Sequence, residues 1–269
     1  MLEYLLGFLL AIAIGIIAAL IGVGGGFLYV PTLILVFGLE PRMAIGTSVS
    51  IIVFTTLSGG ISYFRQKRIF IRSALCLIIP SVAFSVIGAW STSLVDEEIL
   101  TLIFLLVLLV VGIKMLVPSL PLMAPLSYGP YYDEESMDVF SINAKNRLYY
   151  LHTLTWGAVA GFMSGLTGIG GGIVNVPALV LGGMPIHFAI ATSTFVIIFT
   201  SISASLAHSK LGNISIPYMA VYSAGAIIGA QVGARIAPGA NPKLLRSVVG
   251  LVLIFTAIAV LVQSAGGLI

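Results

Sequence analysis

The sequence predicts an all-α polytopic membrane protein made of two inverted repeats. Each repeat would hold a Gly-rich broken, re-entrant helical hairpin plus about three full transmembrane helices. Three observations lead there. Of 269 residues, 59% are hydrophobic and only 8% charged, with a mean hydropathy of +1.17, whereas a soluble domain carries about a quarter charged residues. No Asp, Glu, Lys or Arg occurs from Tyr4 to Leu39 or from Leu148 to Ser209, and about 20 apolar residues suffice to cross a bilayer as a helix. The chain also repeats itself.

Apolar runs fall at about 2–38, 43–64, 73–95, 98–117, 149–183, 187–207, 214–236 and 243–264. Residues 1–117 form the first repeat and 149–269 the second. Between them, 118–148 is a polar connector holding Pro118, Pro121, Pro125 and Pro130 and the acidic Asp133, Glu134, Glu135 and Asp138. Such a segment reads as a loop. A shift of 146 lays Gly15–Leu35 on Gly161–Leu181 with ten of 21 positions identical, among them Gly22, Gly24, Gly25, Gly26 and Pro31. A shift of 145 then lays Ala44–Thr56 on Ala189–Ser201, where Thr47, Ser48, Ile52 and Thr55 recur as Thr192, Ser193, Ile197 and Thr200.

Charge placement decides how the copies are related. Parallel copies put eight of the 12 Lys and Arg inside. Inverted copies put ten inside and leave only Arg42 and Lys210 outside. The inverted arrangement obeys the positive-inside rule better and makes the connector cytoplasmic in a multi-pass protein of the cell membrane. Length supports it as well. Phe27–Gly38 spans about 18 Å at 1.5 Å per residue, too short for a crossing of about 30 Å. The run 2–38 is then a bent hairpin with its tip near the midplane, and 149–183 a second one entering from the opposite face.

The two tips read Gly22-Val-Gly24-Gly25-Gly26 and Gly168-Ile-Gly170-Gly171-Gly172. Glycine tolerates positive φ and leaves backbone N–H groups uncovered. Where such a turn opens a helix, those N–H groups and the positive dipole end form an anion site without any charged side chain. Broken helices at the midplane serve secondary transporters in this way. The competing reading is close helix packing by small residues, which also accounts for Gly225, Gly229 and Gly233. A dinucleotide fold fails for want of a βαβ pattern.

Hydroxyls and one amide complete the candidate set. Ser48 and Thr55 share a helical face, and Ser193 and Thr200 repeat the spacing. Counted from the helix starts, Thr55 and Thr200 lie level with the tips, with Thr47, Ser48, Thr192 and Ser193 nearer the entrances. Hydroxyls can donate to anionic oxygens or bond back to helix carbonyls. Asn175, at the place of Tyr29, is the amide beside a tip. The candidate substrate-binding residues are thus Gly24, Gly25, Gly26, Ser48, Thr55, Gly170, Gly171, Gly172, Asn175, Ser193 and Thr200.

Other features read as structural. His152, His187 and His208 fall at run ends, as interface residues would, and Arg65, Lys67, Arg68 and Arg72 form an inner anchor. With Glu3 and a long apolar start, no cleaved signal peptide is expected. The single Cys76 offers no intrachain disulfide. There is no nucleophile–base set and no metal constellation, so neither enzyme, cofactor nor metal is expected. Basic residues spread over loops do not form a nucleic-acid surface. The expected partners are a small anionic substrate and the lipid bilayer, with the oligomeric state unread.

The segments Leu20-IGVGGGFLYVP-Thr32 and Leu166-TGIGGGIVNVP-Ala178, each followed by a helix carrying Thr47-Ser48 or Thr192-Ser193, resemble the TauE/SafE sulfite-exporter family of permeases. That resemblance implies transport of sulfite, sulfoacetate or related organosulfonates. The class it favours is a secondary transporter working by alternating access. An anion channel with the same dipole-lined site is the alternative.

Overall fold

The computed structural model describes residues 2–117, 147–181, 184–239 and 241, together with 247, 250, 251, 254, 255, 257, 258 and 261. The connector, apart from 147–148, and most of the run 243–264 lie outside these residues. Among the described residues there is no strand. The helices are α1 Leu2–Ile21, α2 Gly26–Leu35, α3 Pro41–Arg65, α4 Ile71–Ser91, α5 Glu97–Leu116, α6 Arg147–Thr167, α7 Gly172–Leu181, α8 Ile186–Lys210 and α9 Ile216–Ile236. Four of them, α1, α3, α4 and α8, are long and apolar enough to cross a membrane.

Helix lengths recur in order. The run α1 to α4 has 20, 10, 25 and 21 residues, and α6 to α9 has 21, 10, 25 and 21. The breaks fall where the sequence puts glycine. Gly22, Gly24 and Gly25 have φ of 75°, 89° and 92°, and Gly168, Gly170 and Gly171 have 73°, 88° and 72°. These left-handed angles end α1 and α6 and reverse the chain. The first hairpin folds back on itself. Gly25 packs against Ala18, while the Phe37 ring, past the end of α2, returns to Gly7 near the start of α1.

Packing joins the two halves rather than closing each one. Gly225, Gly229 and Gly233 of α9 lie against the carbonyl oxygens of Phe8, Ile12 and Ile16 of α1. Residue numbers rise together, so α1 and α9 run parallel. On the other side Gly157, Gly161 and Gly165 of α6 lie against the carbonyls of Leu77, Ser81 and Ser85 of α4. Both are small-residue ridges that bring backbones together, as expected for Gly225, Gly229 and Gly233. At the centre α3 crosses α8 in the opposite sense. Ser50 Oγ bonds Ser205 Oγ at 2.8 Å, and Gly60 packs on Ile198.

Loop ends repeat as well. Asn213 N–H donates to the His208 carbonyl after Gly212 at φ 74°, and Arg68 N–H donates to the Tyr63 carbonyl after Lys67 at φ 56°. Lys67 is the only described non-Gly residue in the left-handed region, where a Cβ costs about 1–2 kcal/mol. Lys67→Gly is therefore expected to stabilise the protein by up to about 1 kcal/mol, read as a higher thermal midpoint in detergent. An unchanged or lower midpoint would contradict this.

Candidate functional site

The two glycine tips meet where α3 crosses α8. Gly26 packs directly on the Gly168 carbonyl and Ile169, and Gly172 on Val23 and the Gly22 carbonyl. Each tip is also held by a helix of the other half. Ser48 Oγ of α3 donates to Gly168 O at 2.8 Å, and Ser193 Oγ of α8 donates to Gly22 O at 2.8 Å. This differs from the depth counted along the sequence, which put both serines nearer the entrances. The helices α3 and α8 have 25 residues, about 37 Å at 1.5 Å per residue. That exceeds a hydrocarbon core of about 30 Å, so a depth counted from Pro41 and Ile186 does not locate Ser48 and Ser193 relative to the tips.

Each of these serines satisfies a carbonyl exposed by a left-handed turn. Removing one hydroxyl leaves a buried acceptor unpaired, at about 1–3 kcal/mol. Ser48→Ala and Ser193→Ala are each expected to lower the thermal midpoint, and the double variant by the sum. Midpoints unchanged in all three would show that the two bonds contribute nothing.

Helix starts at both tips have no side-chain partner. Gly25 is the N-cap of α2 and carries no capping bond, and among the described residues nothing accepts the N–H groups of Gly25, Gly26, Gly171 or Gly172. Between the tips stand two isoleucines at matching places. A methyl built on Gly24 would lie 3.1 Å from Ile52 and 3.4 Å from Ile197. Gly170 faces Ile52 at 3.1 Å, and Gly172 faces Ile197 at 2.8 Å. Both isoleucines are fully buried.

Polar groups flank this plug unequally. In the first half Tyr29 OH lies 3.1 Å from Thr55 Oγ1, which itself donates to Ile51 O at 3.0 Å. The Tyr29 ring also covers Gly25, 2.8 Å from where a Cβ would stand. In the second half Thr200 Oγ1 donates to Val196 O at 3.2 Å. Asn175 is 1% exposed and its Oδ1 has no partner. Ser164, at the place of Ala18, is fully buried with its Oγ unpartnered.

Thr47 and Thr192 take a third role. They accept the N–H groups of Ser215 and Phe70, which open α9 and α4, at 2.9 and 3.0 Å. His208 is fully buried rather than open at the surface, and its Nε2 donates to Gly165 O at 2.8 Å. Tyr63 makes the matching bond to Ala19 O. The end of a hydropathy run marks where apolar sequence stops; it does not show that α6 covers that end of α8. Sequence reading also passed over Ile52, Ile197, Tyr29 and Ser164. The alignment of the halves held the signal, since it pairs the two isoleucines and sets Tyr29 against Asn175.

The chain matches the model of the family described as sulfite exporter TauE/SafE over residues 7–260. It is 32% identical to the probable membrane transporter protein YunE of Bacillus subtilis, covering 93% of this chain and 95% of that protein. It is 27% identical to the probable membrane transporter protein MJ0441 of Methanocaldococcus jannaschii, covering 87% and 86%. A probable membrane transporter protein of Xylella fastidiosa is 28% identical over 95% and 94%. No solved structure matches the chain. The match over nearly the whole length, on a charge-poor helical fold, makes the chain a member of the sulfite exporter TauE/SafE family of membrane transporters.

Proposed function

We propose that the protein is a secondary transporter of small sulfur-containing oxyanions, of the sulfite and organosulfonate class, working by alternating access in the cell membrane. The carrying observation is the meeting of two uncapped helix starts at the crossing of α3 and α8, both within stretches, 4–39 and 148–209, that hold no Asp, Glu, Lys or Arg. Backbone N–H groups at Gly24–Gly26 and Gly170–Gly172 would hold the anion, with Ser48, Ser193, Thr55, Thr200 and Asn175 completing its hydrogen bonds. Donors fixed at a helix start favour negative charge without a competing counter-charge.

The inverted relation of the halves is part of this reading. It is supported by the opposite run of α3 and α8, by the recurring helix lengths and by the sequence count, in which an inverted arrangement puts ten of 12 cations on the connector's side and a parallel one only eight. Such a pair permits one half to rock against the other about a fixed site. In the conformation described here the tips touch, Ser48 and Ser193 are engaged by tip carbonyls, and Ile52 and Ile197 fill the gap. This closed centre favours a carrier over a channel.

Flux into proteoliposomes of purified protein tests the proposal. Saturable movement of sulfite, sulfoacetate or thiosulfate is expected, and loss of it in Gly25→Val and Gly171→Val, which place a β-branched residue at positive φ. Absence of flux for every anion would overturn the proposal. Large single-channel currents would assign the site to a channel.

A further inference from the structure

We infer that His208 is a proton-binding site that couples transport to a proton gradient, one proton moving in the same direction as each anion. This deepens the transport reading and rests on it.

The two halves make the same bond with different chemistry. A shift of 145 lays Tyr63 on His208, and a shift of 146 lays Ala19 on Gly165. Tyr63 OH donates to Ala19 O at 2.6 Å, and His208 Nε2 bonds Gly165 O at 2.8 Å. Each bond ties the end of a central helix, α3 or α8, to the last turn of the helix that leads into a glycine tip. A carbonyl only accepts, so Nε2 carries its hydrogen and donates. Nδ1 is then the atom that takes up a proton. It is buried without a hydrogen-bond partner, on a side chain that is fully buried. In the first half a phenol, which does not titrate near neutral pH, serves the same bond; an imidazole does titrate there. The structural bond alone gives no reason for a histidine.

The surroundings set when the proton binds. Helix α8 packs on α3, α4, α6 and α7. Ser85 and Ala89 of α4 lie beside Gly165. Residues 81–91 of α4, 160–167 of α6 and 172–181 of α7 hold no Asp, Glu, Lys, Arg, His, Cys or Tyr. On α3 the titratable groups at this end are the exposed Glu40 and, at the second helical residue, Arg42; Gly46, four residues on, meets Asn213 of the loop after α8. Lys210, exposed, follows on α8 itself. Protonated in this closed conformation, Nδ1 would be a buried donor without an acceptor, on a cation to which α4, α6 and α7 bring no carboxylate.

Two events relieve that cost. One is the parting of α8 from α6, which admits water to Nδ1. The other is arrival of an anion. Gly165 lies three residues before Gly168, where the second tip turns, so the turn of α6 that His208 grips is the one that ends in the tip. An anion at the tip and a proton on His208 attract across a centre without other fixed charge. Each raises the affinity of the other by the same factor. Loss of the proton on one side then releases the anion on that side, which is movement in the same direction.

The test uses the purified full chain in proteoliposomes with sulfite, sulfoacetate or thiosulfate at equal concentration on both sides. The vesicles are acid outside by one pH unit, with the membrane potential clamped at zero, and protein-free vesicles subtract passive leak. One proton per anion drives up to about tenfold accumulation per pH unit. Wild type is expected to accumulate an anion at least threefold and to lose the accumulation when a protonophore collapses the gradient. His208→Tyr copies the bond of the first half, and His208→Gln offers a neutral N–H to the same carbonyl. Both variants should move the anion down its own concentration gradient and accumulate none under the pH gradient, with the thermal midpoint reporting their folding. Wild-type flux that ignores the pH gradient would overturn the inference and leave anion transport standing. So would accumulation retained by either variant. Failure of wild type to move any of the three anions would overturn the transport reading and this inference together.

Discussion

Gly26→Ala and Gly172→Ala are each expected to cost the protein most of its folded yield, and with it all transport. The carbonyl of Gly168 and the backbone of Ile169 occupy the place of a Cβ on Gly26, and Val23 occupies that of Gly172. None of these is the far end of a flexible side chain, so a tip must move as a unit. Moving it breaks the Ser48–Gly168 and Ser193–Gly22 bonds. Overpacking a tight site costs about 1–3 kcal/mol, and here the lost bonds add to it. Gly59→Ala in α3 is the control. Its added methyl meets neighbours no nearer than 3.8 Å, and Ala is favoured over Gly in a helix by about 1 kcal/mol. Size-exclusion profiles and thermal midpoints of the three variants check this. A Gly26→Ala protein as monodisperse and stable as Gly59→Ala would show that the tips are not in rigid contact.

Much of the geometry of the glycine tips was legible in the sequence, and for identifiable reasons. Glycine clusters followed by segments too short to cross a bilayer force a chain reversal, which the φ angles at Gly22–Gly25 and Gly168–Gly171 display. The repeat located the second tip from the first. What the sequence hid was contact between halves. Nothing in local hydropathy pairs α1 with α9 or α6 with α4, because each ridge of glycines is compatible with any apolar partner. Periodicity likewise could not tell Ser48, engaged by a tip of the other repeat, from a serine bonded within its own helix. Ile52 and Ile197 looked like any apolar pair in a membrane run. Their role comes from where two helices cross, which is a property of the assembled fold.

Those isoleucines carry the second large effect. Ile52→Ala together with Ile197→Ala is expected to turn a closed centre into a leak. Each side chain touches both tips, bridging Gly24 to Gly170 or to Gly172, and both are fully buried. Truncating one large buried aliphatic residue costs about 2–5 kcal/mol in soluble cores, partly through the cavity left behind. An apolar cavity between isolated walls stays dry, but this one would be lined by uncapped N–H groups and by Thr55 and Thr200, which give water the polar partners it needs. Once hydrated, the space opens a water path past the plug. Flux should then rise at least tenfold, lose saturation and become insensitive to substrate on the far side. The single variants, each leaving one isoleucine against both tips, should remain saturable. The comparison separates carrier from channel by construction: a protein that is already a channel conducts before the plug is cut, so equal flux in wild type and double variant would place the gate elsewhere.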